Sequence, residues 1–186
     1  MSKIFIISGP SGAGEDSIIS GLRDKFSIER IITTTTRKMR KGESQGNPYY
    51  FVTKEDFEKK IEQDELAEWA QEYNANFYGV TRKELKRVMD CPRIGLWKIE
   101  YKGVMAAKKQ FPEIKSIYIA PPSLEILRKR IKQRDPLATE EYLNERMEYT
   151  REWIKYEYIY DYKVINEEGK LNEAIEKVAD IIEKNL

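Results

Sequence analysis

The sequence has no histidine and a single cysteine, Cys91. One cysteine excludes an intramolecular disulfide and a thiolate metal cluster. A zinc centre would have to be built from carboxylates alone, so no protein-held structural metal is expected. No apolar run approaches the ~18 residues of a membrane span, and the first residues lack the basic-then-apolar pattern of a signal peptide. Neither sign of charge dominates. Lys and Arg total 33 against 32 Asp and Glu, a net charge of +1, so no global field draws the chain to nucleic acid or membrane. There are no repeats and no low-complexity tract. What remains is a globular balance, 40% hydrophobic and 35% charged over 186 residues, enough for one compact domain with lobes or two small ones. A cytoplasmic protein is expected.

The residues that are present begin with chemistry. The stretch "ISGPSGAGEDSII" at 7–19 follows the phosphate-loop pattern G-x-x-x-x-G-K-[S/T] through Gly9, Pro10, Ser11, Gly12, Ala13 and Gly14. It then departs from it, with Glu15 in the lysine's place and Asp16 in place of the magnesium-binding hydroxyl, followed by Ser17. The context is right for such a loop: "KIFIIS" reads as a buried strand, and Ile18, Ile19, Leu22 and Phe26 fall at helical spacing. Backbone N–H groups and the helix N-terminus cradle an anion whatever the side chain at position 15. The side chain matters for rate. Two unit charges ~4 Å apart interact by about 4 kcal/mol at an effective dielectric near 20, so exchanging attraction for repulsion shifts a transition state by as much as ~8 kcal/mol. At about 1.4 kcal/mol per decade, an uncompensated Glu15 predicts a crippled reaction. Asp16 is milder, because a carboxylate binds magnesium readily.

Farther along, "YYFV" reads as a strand, and Thr53 and Thr81 each open a capping box ahead of a polar helix. Residues 67–80 read as strand, turn, strand. "RIGLWKIE" (93–100) and "KSIYIAPP" (115–122), separated by the helix-like "VMAAKKQF", give a βαβ unit. Ser123 caps "LEILRKRIKQR", Thr139 starts a long helix, "DYKVIN" is a last strand, and an amphipathic helix closes the chain. The alternation of strands and helices at both ends predicts an α/β fold with a parallel sheet flanked by helices. The core is expected over 1–32 and 91–186, with an inserted lobe over 33–90 and a lid at about 135–150.

"SGPSGAG", "TTTTRKMRKGE", "YYFV", "AEWAQ…YG" and "APPSLEILRKRIKQR" arrive in the order and spacing of the guanylate kinase family, and the resemblance covers essentially the whole chain. It implies a P-loop NTPase-type fold with a nucleoside-monophosphate lobe, and transfer of a phosphoryl group from Mg·ATP to GMP. The partners would be these two nucleotides, and the protein a monomer or homodimer. Matching positions imply that Thr33, Arg37, Arg40, Glu43, Tyr49 and Tyr78 surround the GMP phosphate. Two guanidiniums grip a phosphate dianion by paired hydrogen bonds. Glu68 would read guanine, accepting from its N1 and N2 hydrogens while repelling the acceptor at adenine N1. Glu100 and Val80 complete the GMP set, with Val80 where the family has serine or threonine and Thr81 as a substitute. One residue more than the family spacing stands between Glu68 and Gly79. Arg130, Arg134 and Arg146 resemble the family's lid and clamp arginines, and Asn166 lies at a position near the adenine. Solvated basic faces would account for the arginines as well, and for Lys129 and Lys132.

The family carries an acid-x-acid pair on the strand "WKIEYKG", where this sequence has Lys98 and Glu100. An acid thus stands where a base is expected, and a base where an acid is expected. Lys98 is expected to pair with Glu15 or to reach the phosphates itself, with Asp16 as the residue facing the ATP-bound magnesium. The alternative is a module of the same fold that holds GMP or a phosphopeptide without turnover. A sugar-phosphate kinase is weakened by Glu68, which has a role for guanine and none for a sugar.

Overall fold

The computed structural model describes residues 3–71 and 75–186. Its first sheet is built around β1 (Ile4–Ser8), buried at every residue. β8 (Ile94–Lys98) and β9 (Lys115–Ala120) flank it, with β2 (Ile28–Arg30) and β10 (Tyr162–Ile165) at the edges. All pairs are parallel, in the order β10-β9-β1-β8-β2. A strand covered on both faces has no reason to alternate, which is why β1 is an unbroken apolar run.

On one face, Ile18, Ile19 and Leu22 of α1 (Glu15–Leu22) meet Ile175, Val178 and Ile182 of α7 (Leu171–Lys184) over Phe5, Ile7, Leu96 and Ile119. Gly21 permits this approach, since a Cβ there would sit 2.3 Å from Ile175 Cδ1. On the other face, α4 (Tyr101–Gln110) and α3 (Arg82–Met89) bury Val104, Ala107, Leu85 and Val88 against Ile4, Ile6 and Trp97. β8 ends at Lys98, short of the expected strand, because Glu100 is already the N-cap residue of α4.

The second sheet is ordered β4-β5-β3-β7-β6 and is formed by β3 (Thr34–Thr35), β4 (Ser44–Gln45), β5 (Pro48–Phe51), β6 (Leu66–Gln71) and β7 (Phe77–Thr81). α2 (Lys54–Glu62) is capped as expected, Thr53 accepting from Asp56 N, and its Phe57 stacks on Phe77 at 5.4 Å. β6 and β7 form the expected antiparallel pair; of the interval between Glu68 and Gly79, residues 72–74 lie outside the described residues. A register shift between Leu66 and Glu68 leaves Leu66, Ala67 and Glu68 all buried in succession. Ala67 and Val80 share the hydrophobic cluster of Ile4 and Trp97, so this sheet is packed onto the first and is not a separate hydrophobic body.

α5 (Leu124–Arg134) and α6 (Glu140–Ile154) pack through Leu127, Ile131, Leu143 and Met147, each capped by the expected hydroxyl, Ser123 and Thr139. The far end of α6 is tied to the core by aromatics. Trp153 lies 5.4 Å from Tyr101, and Tyr160 Oη meets both Ser8 Oγ (2.9 Å) and Trp153 Nε1 (3.0 Å).

Candidate active site

Parallel sheets of this kind place ligands at the carboxyl ends of their strands, and here β1 runs there into the glycine loop. The register Ile7↔Lys98 sets the last residue of β8 beside the start of that loop. Glu15, the first residue of α1, is only 7% exposed. The backbone N–H groups of Glu15 and Gly14, among the donors an anion cradle uses, act on the charge of its carboxylate. Burial raises the Glu15 pKa, and the nearby Lys98 charge and the two N–H groups offset this only in part.

Asp16 points out. Its side chain is 68% exposed; Oδ2 accepts from Lys98 Nζ at 2.6 Å and Oδ1 faces Arg30 Nη2 at 3.4 Å. Burial would raise its pKa, but Lys98, with Arg30 and Arg134 behind it, reverses the effect and lowers it. For Lys98 the balance also favours charge: burial depresses its pKa, and Glu15 and Asp16 more than restore it. The direct bond of Lys98 goes to Asp16 and not to Glu15 as expected. Glu15 remains an electrostatic neighbour.

Arg130 and Arg134 of α5 stand on the opposite wall of a cleft of about 390 Å³ that is also lined by Gly12, Gly14, Glu15, Asp16, Ser17 and Asn166. Arg134 Nη2 reaches Ser11 Oγ (3.1 Å), and Arg130 Nη2 donates to the Asn166 carbonyl (2.9 Å). Asn166 Nδ2 donates to Ala13 O at 2.7 Å in a buried bond. That side-chain amide ties the loop to the end of β10 while Asn166 lines the cleft.

A second cluster forms between β5, β7 and the loop after β3. Arg37 Nη2 pairs with Glu43 Oε1 at 2.8 Å, and its guanidinium lies 5.3 and 5.4 Å from the rings of Tyr49 and Phe51. Tyr49 and Tyr78 meet edge-on at 6.0 Å. Glu43 also accepts from the backbone N–H of Arg40 at 2.7 Å, so it positions both arginines. The Arg37 bond holds Glu43 below the usual carboxylate range; burial lowers the Arg37 pKa and Glu43 outweighs it. Arg40 is exposed, and Thr33 is buried with its carbonyl accepting from Tyr50 N at 3.0 Å.

Glu68 is buried, with Oε2 3.1 Å from where a Cβ on Gly103 would stand. Glu100 Oε2 accepts from Tyr149 Oη of α6 at 2.5 Å. Glycine at 103 thus leaves Glu68 its space, and α6 reaches over to Glu100.

A family model for guanylate kinase matches residues 1–185. The chain belongs to the guanylate kinase family. The guanylate kinase of Halalkalibacterium halodurans is 38% identical over 96% of this chain and 86% of its own length. That of Fusobacterium nucleatum is 32% identical over 100% and 98%. A crystal structure of guanylate kinase from Anaplasma phagocytophilum superposes with a TM-score of 0.77 at 30% identity, covering 97% of this chain and 84% of that one.

Within this guanylate kinase fold, three of the expected positions have particular surroundings. Val80 is fully buried beside Leu85 and Val88 and offers the site no polar side-chain atom. Thr81 accepts from Glu84 N as the cap of α3, which leaves its hydroxyl hydrogen to donate. Arg146 is turned along α6, its Nε on Tyr142 Oη at 3.1 Å with the guanidinium over that ring. Two participants escaped the sequence reading. Arg30 is the last residue of the three-residue strand β2, too short to be read from pattern, and nothing local marks Tyr149. Among the described residues, no group of three or more His, Cys, Asp or Glu comes together to hold a metal ion, and no helix is long and apolar enough to cross a membrane.

Proposed function

We propose that this protein transfers the γ-phosphoryl group of Mg·ATP to GMP, forming ADP and GDP. The observation that carries the reading is the acceptor side: a buried carboxylate, Glu68, in one chain with a guanidinium fixed by Glu43 beside the rings of Tyr49 and Phe51. In this reading Thr33, Arg37, Arg40, Tyr49 and Tyr78 hold the GMP phosphate, Glu43 aligns the arginines, and Glu68 and Glu100 read guanine. Val80 contributes only its backbone. Residues 33–90 act as the acceptor lobe on a core of 1–32 and 91–186.

The donor's phosphates lie along Gly9–Ser17, with Asn166 setting the loop's shape. Transfer is in line, with no covalent intermediate and no protein nucleophile, so catalysis is positioning and charge stabilisation. Arg130 and Arg134 clamp the transferring group. Arg146, on a lid of about 135–150, joins them when the lid closes. Magnesium arrives with ATP as part of the substrate. Asp16 is the loop carboxylate able to meet it, in exchange for a cation it now holds.

The runner-up, a module that binds without turnover, has no support from the relatives described above, each of which bears the name of the kinase. Purified protein given ATP, Mg²⁺ and GMP should form GDP at an ordinary kinase rate, on the order of 1 to 100 per second, with AMP as the control acceptor. GMP binding by calorimetry with no GDP formed would overturn the assignment.

A further inference from the structure

The positive charge that the phosphate loop lacks stands on two neighbouring strands. β1, β8 and β2 lie side by side, and the registers Ile7↔Lys98 and Arg30↔Leu96 bring the loop, Lys98 and Arg30 to one edge of the sheet. Asp16, one residue into α1, presents an oxygen to each cation, 2.6 Å from Lys98 and 3.4 Å from Arg30. The local balance is two carboxylates, Glu15 and Asp16, against two cations.

Fold stability does not account for this arrangement. A pair with a carboxylate as exposed as Asp16 contributes little to stability. The end of β2 is secured by another residue: Arg87 bonds the Arg30 carbonyl (3.0 Å), Glu29 (2.5 Å) and Glu84 (2.9 Å). The Arg30 side chain is left to the loop.

We infer that Arg30 and Lys98 together supply the donor's phosphates with the charge of the missing loop lysine, Asp16 holding both cations at the mouth of the loop. This deepens the phosphotransfer reading and rests on it. Arg30, from a strand outside the loop, becomes a further functional residue. Phosphate oxygens carry more charge than one carboxylate and are the stronger partners for both cations.

The test uses Arg30→Met, Arg30→Lys and Lys98→Met in the full chain, with inorganic tripolyphosphate as the probe of charge and GDP formation as the probe of chemistry. By calorimetry, Arg30→Met and Lys98→Met should each weaken tripolyphosphate binding about tenfold, and Arg30→Lys should stay within about threefold of the parent. With saturating ATP, Arg30→Met should lower kcat by about tenfold to a hundredfold, leave the KM for GMP unchanged, and keep the unfolding midpoint. Parental tripolyphosphate affinity in Arg30→Met, or an Arg30→Lys as weak as Arg30→Met, would overturn the inference. Parent protein that makes GDP with Arg30→Met equally active also defeats it, while leaving the kinase reading intact. Parent protein that makes no GDP, yet binds tripolyphosphate through both cations, defeats the kinase reading and upholds the charge assignment.

Discussion

Replacing Glu15 by glutamine tests whether burial or pairing governs the altered loop. Glutamine keeps the shape and a carbonyl that can accept from the loop's N–H groups, but it cannot ionise. The carboxyl of Glu15 is 7% exposed, and burial raises its pKa against the pull of Lys98 and the two N–H groups. In the unfolded chain a glutamate titrates near 4.3. Between that value and its raised folded value the folded state holds the extra proton. The stability this group contributes is therefore complete below the unfolded pKa and is lost as pH rises through the folded one.

Glu15→Gln should accordingly stabilise the protein at pH 8, on the order of the 1–3 kcal/mol that an imperfectly paired buried polar group costs, at ~2–4 °C in Tm per kcal/mol for a chain of this size. The advantage should shrink as pH falls into the carboxylate range, where the parent also takes up the proton. The neighbours do not confuse the window. Lys98 is held protonated, Asp16 is shifted down, and Tyr118 and Tyr160 are shifted up, chiefly by burial. Circular dichroism melts at pH 5, 6, 7 and 8 read the effect. A gain that does not vary with pH, or a glutamine variant less stable at pH 8, would show that the Lys98 charge and the loop amides outweigh burial, and the reasoning would fail.

Two other outcomes are expected. Glu68→Gln leaves one acceptor and introduces a donor where guanine presents two hydrogens. The KM for GMP should rise about tenfold to a hundredfold with kcat little changed, and the preference over AMP should narrow, as steady-state kinetics with both acceptors will tell. Gly14→Ala places a Cβ 2.4 Å from Asn166 Nδ2 at a φ of 101°. It should cost about 1–2 kcal/mol for the left-handed backbone, plus about 1–3 kcal/mol for the broken Asn166–Ala13 bond, and an unchanged melting temperature would refute that account.

How much of this was legible in advance follows the range of each signal. The apolar run before Gly9, the hydroxyls of Thr53, Thr81, Ser123 and Thr139 ahead of their helices, and the helical spacing of Leu171, Ile175, Val178 and Ile182 act within one or two turns of chain, and each formed where expected. The two-residue strands β3 and β4 were invisible, because a pattern of period two needs more than two residues to be read.

That Arg37, Glu43, Tyr49 and Tyr78 would lie together was foreseeable through a family pattern carried by contiguous motifs. The bonding partners of the site residues were not. Arg37 found Glu43 six residues away, but Lys98 chose Asp16 across 82 residues and Asn166 reached Ala13 across 153. Such choices depend on strand register and on which way a buried carboxylate turns.

The sequence by itself determined that a phosphate loop would open a parallel α/β fold and that its lysine would be absent, since both are properties of adjacent residues. Only the tertiary structure decided what occupies the loop and what stands in for the lost charge. Sheet order sets β8 beside β1 and β2 beside β8, and burial turns Glu15 inward while Asp16 is left outside to gather Lys98 and Arg30.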